Sequence, residues 1–325
     1  MADWRRLLRR GPGEPALEPA PPAREPRIKS RGAPMPFSKG RMAQALVLAG
    51  AEPERAYQLA MRIEREVSKL GADEIPIERL HGLVEEVLAQ EESPQLVSRY
   101  HGWHEVLRLD RPLLLILGGA TGTGKSTLAT EIAYRLGISR ITSTDAVRQV
   151  MRAFFAVELM PELHYSSFEA ARGLKIPMPD PDIEDRALYG FIQQAGQVAV
   201  GASAIIDRAV MEGLSTVVEG VHLVPGLVAA DQHAGAVVVQ IMLTIADEDA
   251  HQAHFFSRDA SSGGGRAMDR YLRSFGEIRR IQDYLVVRAE QMGWPVVDAG
   301  DPDLALIAVM DLILERATAR QPAIP

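Results

Sequence analysis

The sequence predicts an α/β protein in which a parallel sheet flanked by helices follows a small, mainly helical domain. A continuous apolar run of strand length, Leu113 to Leu117, leads into a glycine-rich turn and then an amphipathic helix. Further apolar strands alternate with helical stretches, the pattern of a parallel sheet with right-handed crossovers. Residues 27–98, in contrast, carry only helical signals. These observations together place a helical domain ahead of an α/β domain.

Composition limits the kind of protein. The 325 residues are 46% hydrophobic and 24% charged, enough to bury at least one full core. The net charge of −7 argues against a surface that coats nucleic acid. The absence of cysteine excludes disulfides and thiolate chemistry and fits a reducing compartment. The longest apolar run, Ala236 to Ala246, is shorter than the roughly 20 residues of a membrane helix. We therefore expect a cytoplasmic protein with no membrane or nucleic-acid partner.

Two end segments are predicted to lie outside the domains. Residues 1–26 form a tail rich in Pro and Arg that is predicted to be disordered. Its basic residues are not followed by an apolar segment, so we expect no secretory signal. A short C-terminal tail, 319–325, follows the α/β domain, which we expect to span 99–318.

The helical domain is predicted to span residues 27–98 and to contain three helices. Ser38 is placed to cap the first, which ends near Gly50; Pro53 begins the second, which ends at Gly71. The third contains the stretch IERLHGLVEEVLAQ. The preceding stretch, RIKSRGAPMPFSKGR, resembles the start of an ATP-cone domain, a small nucleotide-binding regulatory module. The resemblance rests on Lys29, Arg31, Gly32, Phe37 and Arg41. It implies a second nucleotide site, the alternative being a docking domain without a ligand.

The glycine-rich turn after the first strand of the α/β domain satisfies the pattern G-x-x-x-x-G-K-[ST] over residues 119–126. Such P-loops aim backbone N–H groups and a helix N-terminus at phosphate oxygens. The lysine reaches the β- and γ-phosphates, and the hydroxyl of Ser126 holds Mg²⁺. We predict that ATP is bound by Gly119, Gly122, Thr123, Gly124, Lys125, Ser126 and Thr127.

A second predicted strand, Ile138 to Thr142, is followed by candidate acceptor-binding residues. Asp145 lies where a carboxylate could orient an acceptor hydroxyl and take its proton; capping the next helix is the alternative role. Arg148 and Arg152 are one helical turn apart and suit an acceptor that carries its own phosphate or carboxylate. A solvated helix face is the alternative for this pair.

Glu219 and His222 follow another predicted strand, within LSTVVEGVHLVPG. The carboxylate could hold Mg²⁺ through water or bind the acceptor, and His222 is a weaker candidate for substrate binding. The alternative is an exposed acid in a turn. His251 and His254, spaced i, i+3, indicate a helix face more than a metal site.

A basic segment between the last two predicted strands has a Ser-Ser-Gly-Gly-Gly stretch in its middle. Kinases close arginine-bearing lids over ATP from this topological position. We therefore predict that Arg258, Arg266 and Arg270 join Lys125 and Asp145 in catalysis. A flexible surface loop is the alternative.

The order and spacing of five stretches resemble the 2-phosphoglycerate kinase family: GGATGTGKST, ITSTDAVRQVMR, LHYSSFEAARG, VVEGVHLVPG and YLRSFGEIRRIQDYL. The resemblance covers about residues 28–315. It implies transfer of the ATP γ-phosphoryl group to the 3-hydroxyl of 2-phosphoglycerate, giving 2,3-bisphosphoglycerate. The alternatives are a kinase for another hydroxy acid, a phosphotransferase like the zeta toxins, and a non-catalytic nucleotide-sensing switch.

Overall fold

The computed structural model describes residues 26–30, 33–174, 185–228, 235–262 and 268–319, and side chains throughout these ranges except at 256–262 and 268. The chain divides into two compact units, residues 1–100 and 101–325. No helix in the described ranges is long and apolar enough to cross a membrane.

The N-terminal unit combines helices with a small three-stranded sheet. Its elements are β1 (Arg27–Lys29), β2 (Met35–Pro36), α1 (Lys39–Leu48), α2 (Pro53–Lys69), β3 (Glu74–Pro76) and α3 (Ile77–Glu91). The central strand β1 pairs antiparallel with β2 and parallel with β3. Ser38 caps α1 by accepting a hydrogen bond from the backbone N–H of Arg41, as predicted. The three predicted helices are confirmed, and the strands are additional.

A fourth helix, α4 (Pro94–Leu107), crosses the division between the units. Trp103 on this helix is buried, and Gly102 lies against Leu314. The sequence patterns did not predict this helix, because they predicted a domain boundary within it.

The C-terminal unit is built on a five-stranded sheet of order β5-β6-β4-β7-β8, in which every pairing is parallel. The strands are β4 (Leu113–Gly119), β5 (Ile141–Ser143), β6 (Thr216–Gly220), β7 (Val237–Thr244) and β8 (Val296–Asp298). The helices are α5 (Lys125–Leu136), α6 (Thr144–Phe154), α7 (Arg186–Met211), α8 (Glu248–Ser262), α9 (Met268–Arg273), α10 (Phe275–Gln291) and α11 (Pro302–Thr318). The predicted α/β class is confirmed.

The second strand is shorter than predicted. It begins at Ile141 because Gly137, at a φ of +66°, ends α5 in the left-handed region. The N–H of Ile138 then donates to the carbonyl of Ala133, which keeps this residue in the helix cap.

The core explains why the central strand is uniformly apolar. All seven residues of β4 are buried, as expected for a strand covered on both faces. One face packs against α7, whose buried alanines Ala195, Ala199 and Ala202 belong to the same cluster as Leu114. The carboxyl ends of β4, β5 and β6 meet at one edge of the sheet, where open α/β sheets place their ligands.

Candidate active site

The P-loop joins the end of β4 to the start of α5. Gly122 and Gly124 have φ values of +92° and +75°, a region that favours glycine. A Cβ at Gly122 would lie 2.6 Å from the Phe255 ring and 2.9 Å from the His251 ring. The loop therefore needs glycine at Gly122 for both backbone conformation and space.

Two histidines of α8 hold the P-loop from outside. His251 donates from Nε2 to the carbonyl of Thr121 at 2.8 Å, and His254 donates from Nδ1 to the carbonyl of Gly122 at 3.1 Å. Burial lowers the pKa of His251, which favours its neutral form. The i, i+3 spacing indicated a helix face, and only the fold shows that this face packs on the P-loop.

Two cavities adjoin the P-loop, and Lys125 and Ser126 line both. A cavity of about 810 Å³, the nucleotide-side cavity, is bounded by α5, His254 and the start of α11. A cavity of about 530 Å³, the acceptor-side cavity, takes its other walls from α6, β6, α9 and residues 166–168. Groups bound in the two cavities would meet at the start of α5.

Ser126 and Glu219 form a polar pair at the junction. The Ser126 hydroxyl donates to Oε1 of Glu219 at 3.0 Å, and Glu219 is buried at the end of β6. Hydroxyl and carboxylate oxygens are ligands of the kind that Mg²⁺ prefers. Within the described residues no group of three or more His, Cys, Asp or Glu is placed to hold a metal. This set therefore suits a magnesium ion that takes its remaining ligands from nucleotide phosphates and water.

Lys125 donates from Nζ to the carbonyl of Ala120 at 2.7 Å, which keeps its ammonium group beside the P-loop. The structure places Gly122, Thr123, Gly124, Lys125, Ser126 and Thr127 on the nucleotide-side cavity. Gly119 lies at the end of β4, directly before the loop.

Asp145 lies on the wall of the acceptor-side cavity, in the first turn of α6. The cap of this helix is Ser143, whose hydroxyl accepts from the N–H of Ala146 at 3.1 Å. The Asp145 carboxylate is thus not used for capping. Desolvation opposes its ionisation, but the permanent charges of Arg148 and Lys125, joined by His222 only when that ring is protonated, lower the pKa of Asp145. The group is ionised at neutral pH.

The two arginines of α6 differ in environment. Arg148 is buried at the acceptor-side cavity, and its Nη1 donates to the carbonyls of Leu163 and Tyr165 at 2.8 and 2.9 Å. Arg152 is exposed and does not line this cavity itself, although it donates at 3.3 Å to Gln149, which does. The spacing predicted one shared role, but the fold brings only Arg148 to the cavity.

His222 lies in the protein interior. Its Nδ1 is 2.9 Å from the Thr144 hydroxyl, and its Nε2 is 3.1 Å from Oε1 of Gln194. Burial lowers the pKa of His222 to about 4, so the ring is neutral at physiological pH. The ring supports the first turn of α6 from below, whereas Glu219 lines the cavity itself.

Of the predicted lid arginines, Arg270 lines the acceptor-side cavity. Arg266 and the glycines 263–265 lie outside the described residues, and Arg258 belongs to α8 with its side chain outside them. Their catalytic roles stay predictions. Among the lining residues that had not been predicted as site residues are Ser166, Ser167, Phe168 and Tyr271.

Comparison with known proteins identifies the family to which this chain belongs. Residues 27–105 match the model of the ATP cone domain. The 2-phosphoglycerate kinase of Methanothermobacter thermautotrophicus is 38% identical over 283 residues, covering 87% of this chain and 90% of that protein. Those of Methanopyrus kandleri and Thermococcus kodakarensis are 38% and 39% identical, covering 84% and 81% of this chain and 82% and 88% of theirs. The chain belongs to the 2-phosphoglycerate kinase family.

Membership of the 2-phosphoglycerate kinase family makes the protein an ATP-dependent phosphotransferase with an ATP-cone domain at its N-terminus. The predicted enzyme class is confirmed. Because the P-loop motif is common to many nucleotide-binding proteins, it is the remainder of the chain that carries this assignment.

Proposed function

We propose that this protein transfers the γ-phosphoryl group of ATP to the 3-hydroxyl of 2-phosphoglycerate, giving 2,3-bisphosphoglycerate. The observation that carries the proposal is the sharing of Lys125 and Ser126 by the two cavities. A nucleotide in one cavity and a small acceptor in the other would present the γ-phosphate and the hydroxyl to the same lysine. The choice of 2-phosphoglycerate as the acceptor is supported by the related enzymes, which are 2-phosphoglycerate kinases.

The nucleotide-side cavity suits ATP in size and chemistry. Its P-loop wall supplies backbone N–H groups, the positive end of α5 and the Lys125 ammonium group for the phosphates. Its other wall, at Ala299, Pro302 and Leu306, supplies apolar surface for the base. Ser126 and Glu219 would hold Mg²⁺, which would neutralise negative charge on the nucleotide phosphates.

The acceptor-side cavity suits a small anionic hydroxy compound. Asp145 accepts a hydrogen bond from the acceptor hydroxyl and takes its proton as the new oxygen–phosphorus bond forms. The bond between the γ-phosphorus and the bridging oxygen breaks, and ADP leaves with that oxygen. Lys125 offsets the charge on the transferring group. A lowered pKa at Asp145 suits a group whose main task is to orient the hydroxyl, since proton transfer is late in a loose transition state.

Arg148 completes this wall by fixing the 163–165 segment against α6 and adding positive charge beside Asp145. A direct contact of Arg152 with the acceptor, as its spacing predicts, stays a prediction.

The N-terminal unit is proposed to bind a second nucleotide. Two of the residues that carry the ATP-cone resemblance, Lys29 and Arg41, are exposed there, while Arg31 and Gly32 lie outside the described residues. A cytoplasmic location belongs to the same proposal, since it supplies ATP and suits a chain without cysteine.

The test is to identify the product. Phosphorus NMR of ATP, Mg²⁺ and 2-phosphoglycerate with the enzyme should show a second phosphate ester on the acceptor, formed in equal amount with ADP. Lys125→Ala should lower kcat by about 10³-fold or more, because it removes charge stabilisation of the transition state. ADP formation without a new ester would sink the proposal. A panel of free and phosphorylated hydroxy acids separates the alternative acceptors.

A further inference from the structure

Arg270 has an arrangement that the sequence did not indicate. It lies on α9 at the acceptor-side cavity, where its Nη2 donates to the Ser166 hydroxyl at 2.8 Å and forms an ion pair with Glu169. We propose that Arg270, positioned by Glu169, binds the phosphate that the acceptor already carries and so sets the preference for phosphorylated acceptors. This proposal rests on the proposed function and gives Arg270 a recognition role in place of a lid role.

Glu169 is built into the fold as the support of this arginine. Its side chain is only 7% exposed, within the 3₁₀ turn Ser167–Gly173, and it also pairs with Arg172 at 3.0 Å. Two guanidinium groups therefore share one buried carboxylate. Arg172 is exposed to solvent and does not line the cavity, so Arg270 is the member of this cluster that an entering anion meets.

Aromatic rings fix the direction of the guanidinium group. Arg270 lies 5.6 Å from the centroid of the Phe168 ring, which contacts Tyr271 at 5.7 Å between centroids. Tyr271 in turn stacks on Phe255 of α8, with centroids 5.1 Å apart and planes within 7°. Cation–π contact and stacking hold the arginine without using its hydrogen-bond donors.

The other cations at this cavity are committed elsewhere. Lys125 faces the P-loop, and Arg148 is only 8% exposed with two of its bonds made to backbone carbonyls. Arg270 is 48% exposed, and its bonds to the described residues are both made by Nη2. Its Nη1 and Nε therefore keep N–H groups that can each donate to a phosphate oxygen.

The acidic groups of the same cavity give the acceptor an orientation. Asp145 and Glu219 lie on the walls formed by α6 and β6, where they would repel a phosphate. The acceptor phosphate is thus directed to Arg270, and the hydroxyl is left to face Asp145. A compound that lacks the phosphate would leave the Arg270 donors without their partner.

The experiment compares steady-state constants of the full-length wild type with Arg270→Ala and the matched control Arg172→Ala. Arg172 shares the Glu169 carboxylate but does not line the cavity. For Arg270→Ala we expect the KM for 2-phosphoglycerate to rise about 10- to 100-fold, with the KM for ATP within about threefold of wild type. Arg172→Ala should change the KM for 2-phosphoglycerate by less than about threefold.

The positioning role of Glu169 is tested by Glu169→Gln, which keeps the shape of the side chain and removes its charge. It should raise the same KM by a smaller factor and add little when combined with Arg270→Ala, since both act on one contact. If Arg270→Ala fails to fold, Arg270→Lys, which keeps the charge and loses the planar guanidinium group, should give an intermediate rise.

A fall in kcat at unchanged acceptor KM in Arg270→Ala would overturn the proposal in favour of a transition-state role. Unchanged kinetics, or an equal effect in Arg172→Ala, would overturn it as well. If the wild type does not use 2-phosphoglycerate at all, the proposed function fails instead, so the two failures are distinct.

Discussion

Gly122 is a P-loop residue whose backbone conformation and surroundings both exclude a side chain. Its φ of +92° is in the left-handed region, and Phe255 and His251 occupy the space that a Cβ would need. Gly122→Ala should raise the KM for ATP more than tenfold, because both strain and overlap displace the loop. Gly137→Ala is the matched control: its φ is +66°, but nothing lies within 4 Å of the added carbon. Equal KM values for ATP in both variants would show that the α8 contact is not needed.

His222 gives the protein a pH-dependent stability. Burial lowers its pKa from 6.5 to about 4 in the folded state, so the unfolded chain binds a proton first as the pH falls. The contribution of the neutral ring is complete above pH 6.5 and declines between pH 6.5 and about 4. Each pH unit in that window lowers the folding equilibrium constant about tenfold.

Denaturant unfolding across this window measures the effect. His251 also has a lowered pKa and adds to the slope, so the informative comparison is with His222→Gln, which cannot titrate. Gln can still accept from Thr144 and donate to Gln194. The variant should show a shallower decline between pH 6.5 and 5, and an unchanged slope would contradict the assignment of a buried neutral ring.

At the scale of elements, α8 packs on the P-loop without carrying a recognisable motif. Through His251 and His254 it holds the carbonyls of Thr121 and Gly122. We expect this support to keep the N–H groups of the loop directed at the nucleotide phosphates. His251→Leu keeps most of the buried volume but leaves the Thr121 carbonyl without its donor. A lost hydrogen bond of this kind is worth about 1–3 kcal/mol.

His251→Leu should therefore raise the KM for ATP by about fivefold or more while leaving the KM for the acceptor within about twofold. The control is His101→Leu, which alters an exposed histidine of α4 paired with Glu105. An equal rise in both KM values would contradict a specific effect on the P-loop.

A structural feature could be predicted from the sequence when it depends on residues that are close together in the chain. The P-loop, the apolar strands and the Ser38 cap depend on neighbouring residues, so periodicity and motif predicted them. The role of Glu169 could not be predicted, because its partner Arg270 is about a hundred residues away. Arg148 and Arg152 were predicted as a pair because their spacing places them on one helix face. Spacing does not show which other elements pack against that face. Ser143, two residues before Asp145, caps α6, so the alternative capping role considered for Asp145 belongs to another residue.

At the scale of the whole molecule, the C-terminal unit, which contains the P-loop, has its own sheet and core. Deletion of residues 1–92 keeps α4 whole, including the buried Trp103 and the Gly102–Leu314 contact. The remaining chain should unfold cooperatively and keep kcat within about threefold, since compact units with their own core fold alone. A nucleotide effect on activity that is lost on deletion would support a regulatory ATP cone. A soluble, folded but inert fragment would contradict the independence of the C-terminal unit.

The most direct test of the whole account is the ratio of kcat/KM for 2-phosphoglycerate to that for glycerate in the wild-type enzyme. A cavity that directs the acceptor phosphate to Arg270 and the hydroxyl to Asp145 should prefer the phosphorylated acceptor by about 100-fold or more, because glycerate leaves charged donors unpaired. A ratio of about 100 or more is the predicted result. A ratio near one would contradict the account and leave only an ATP-dependent kinase with a different acceptor.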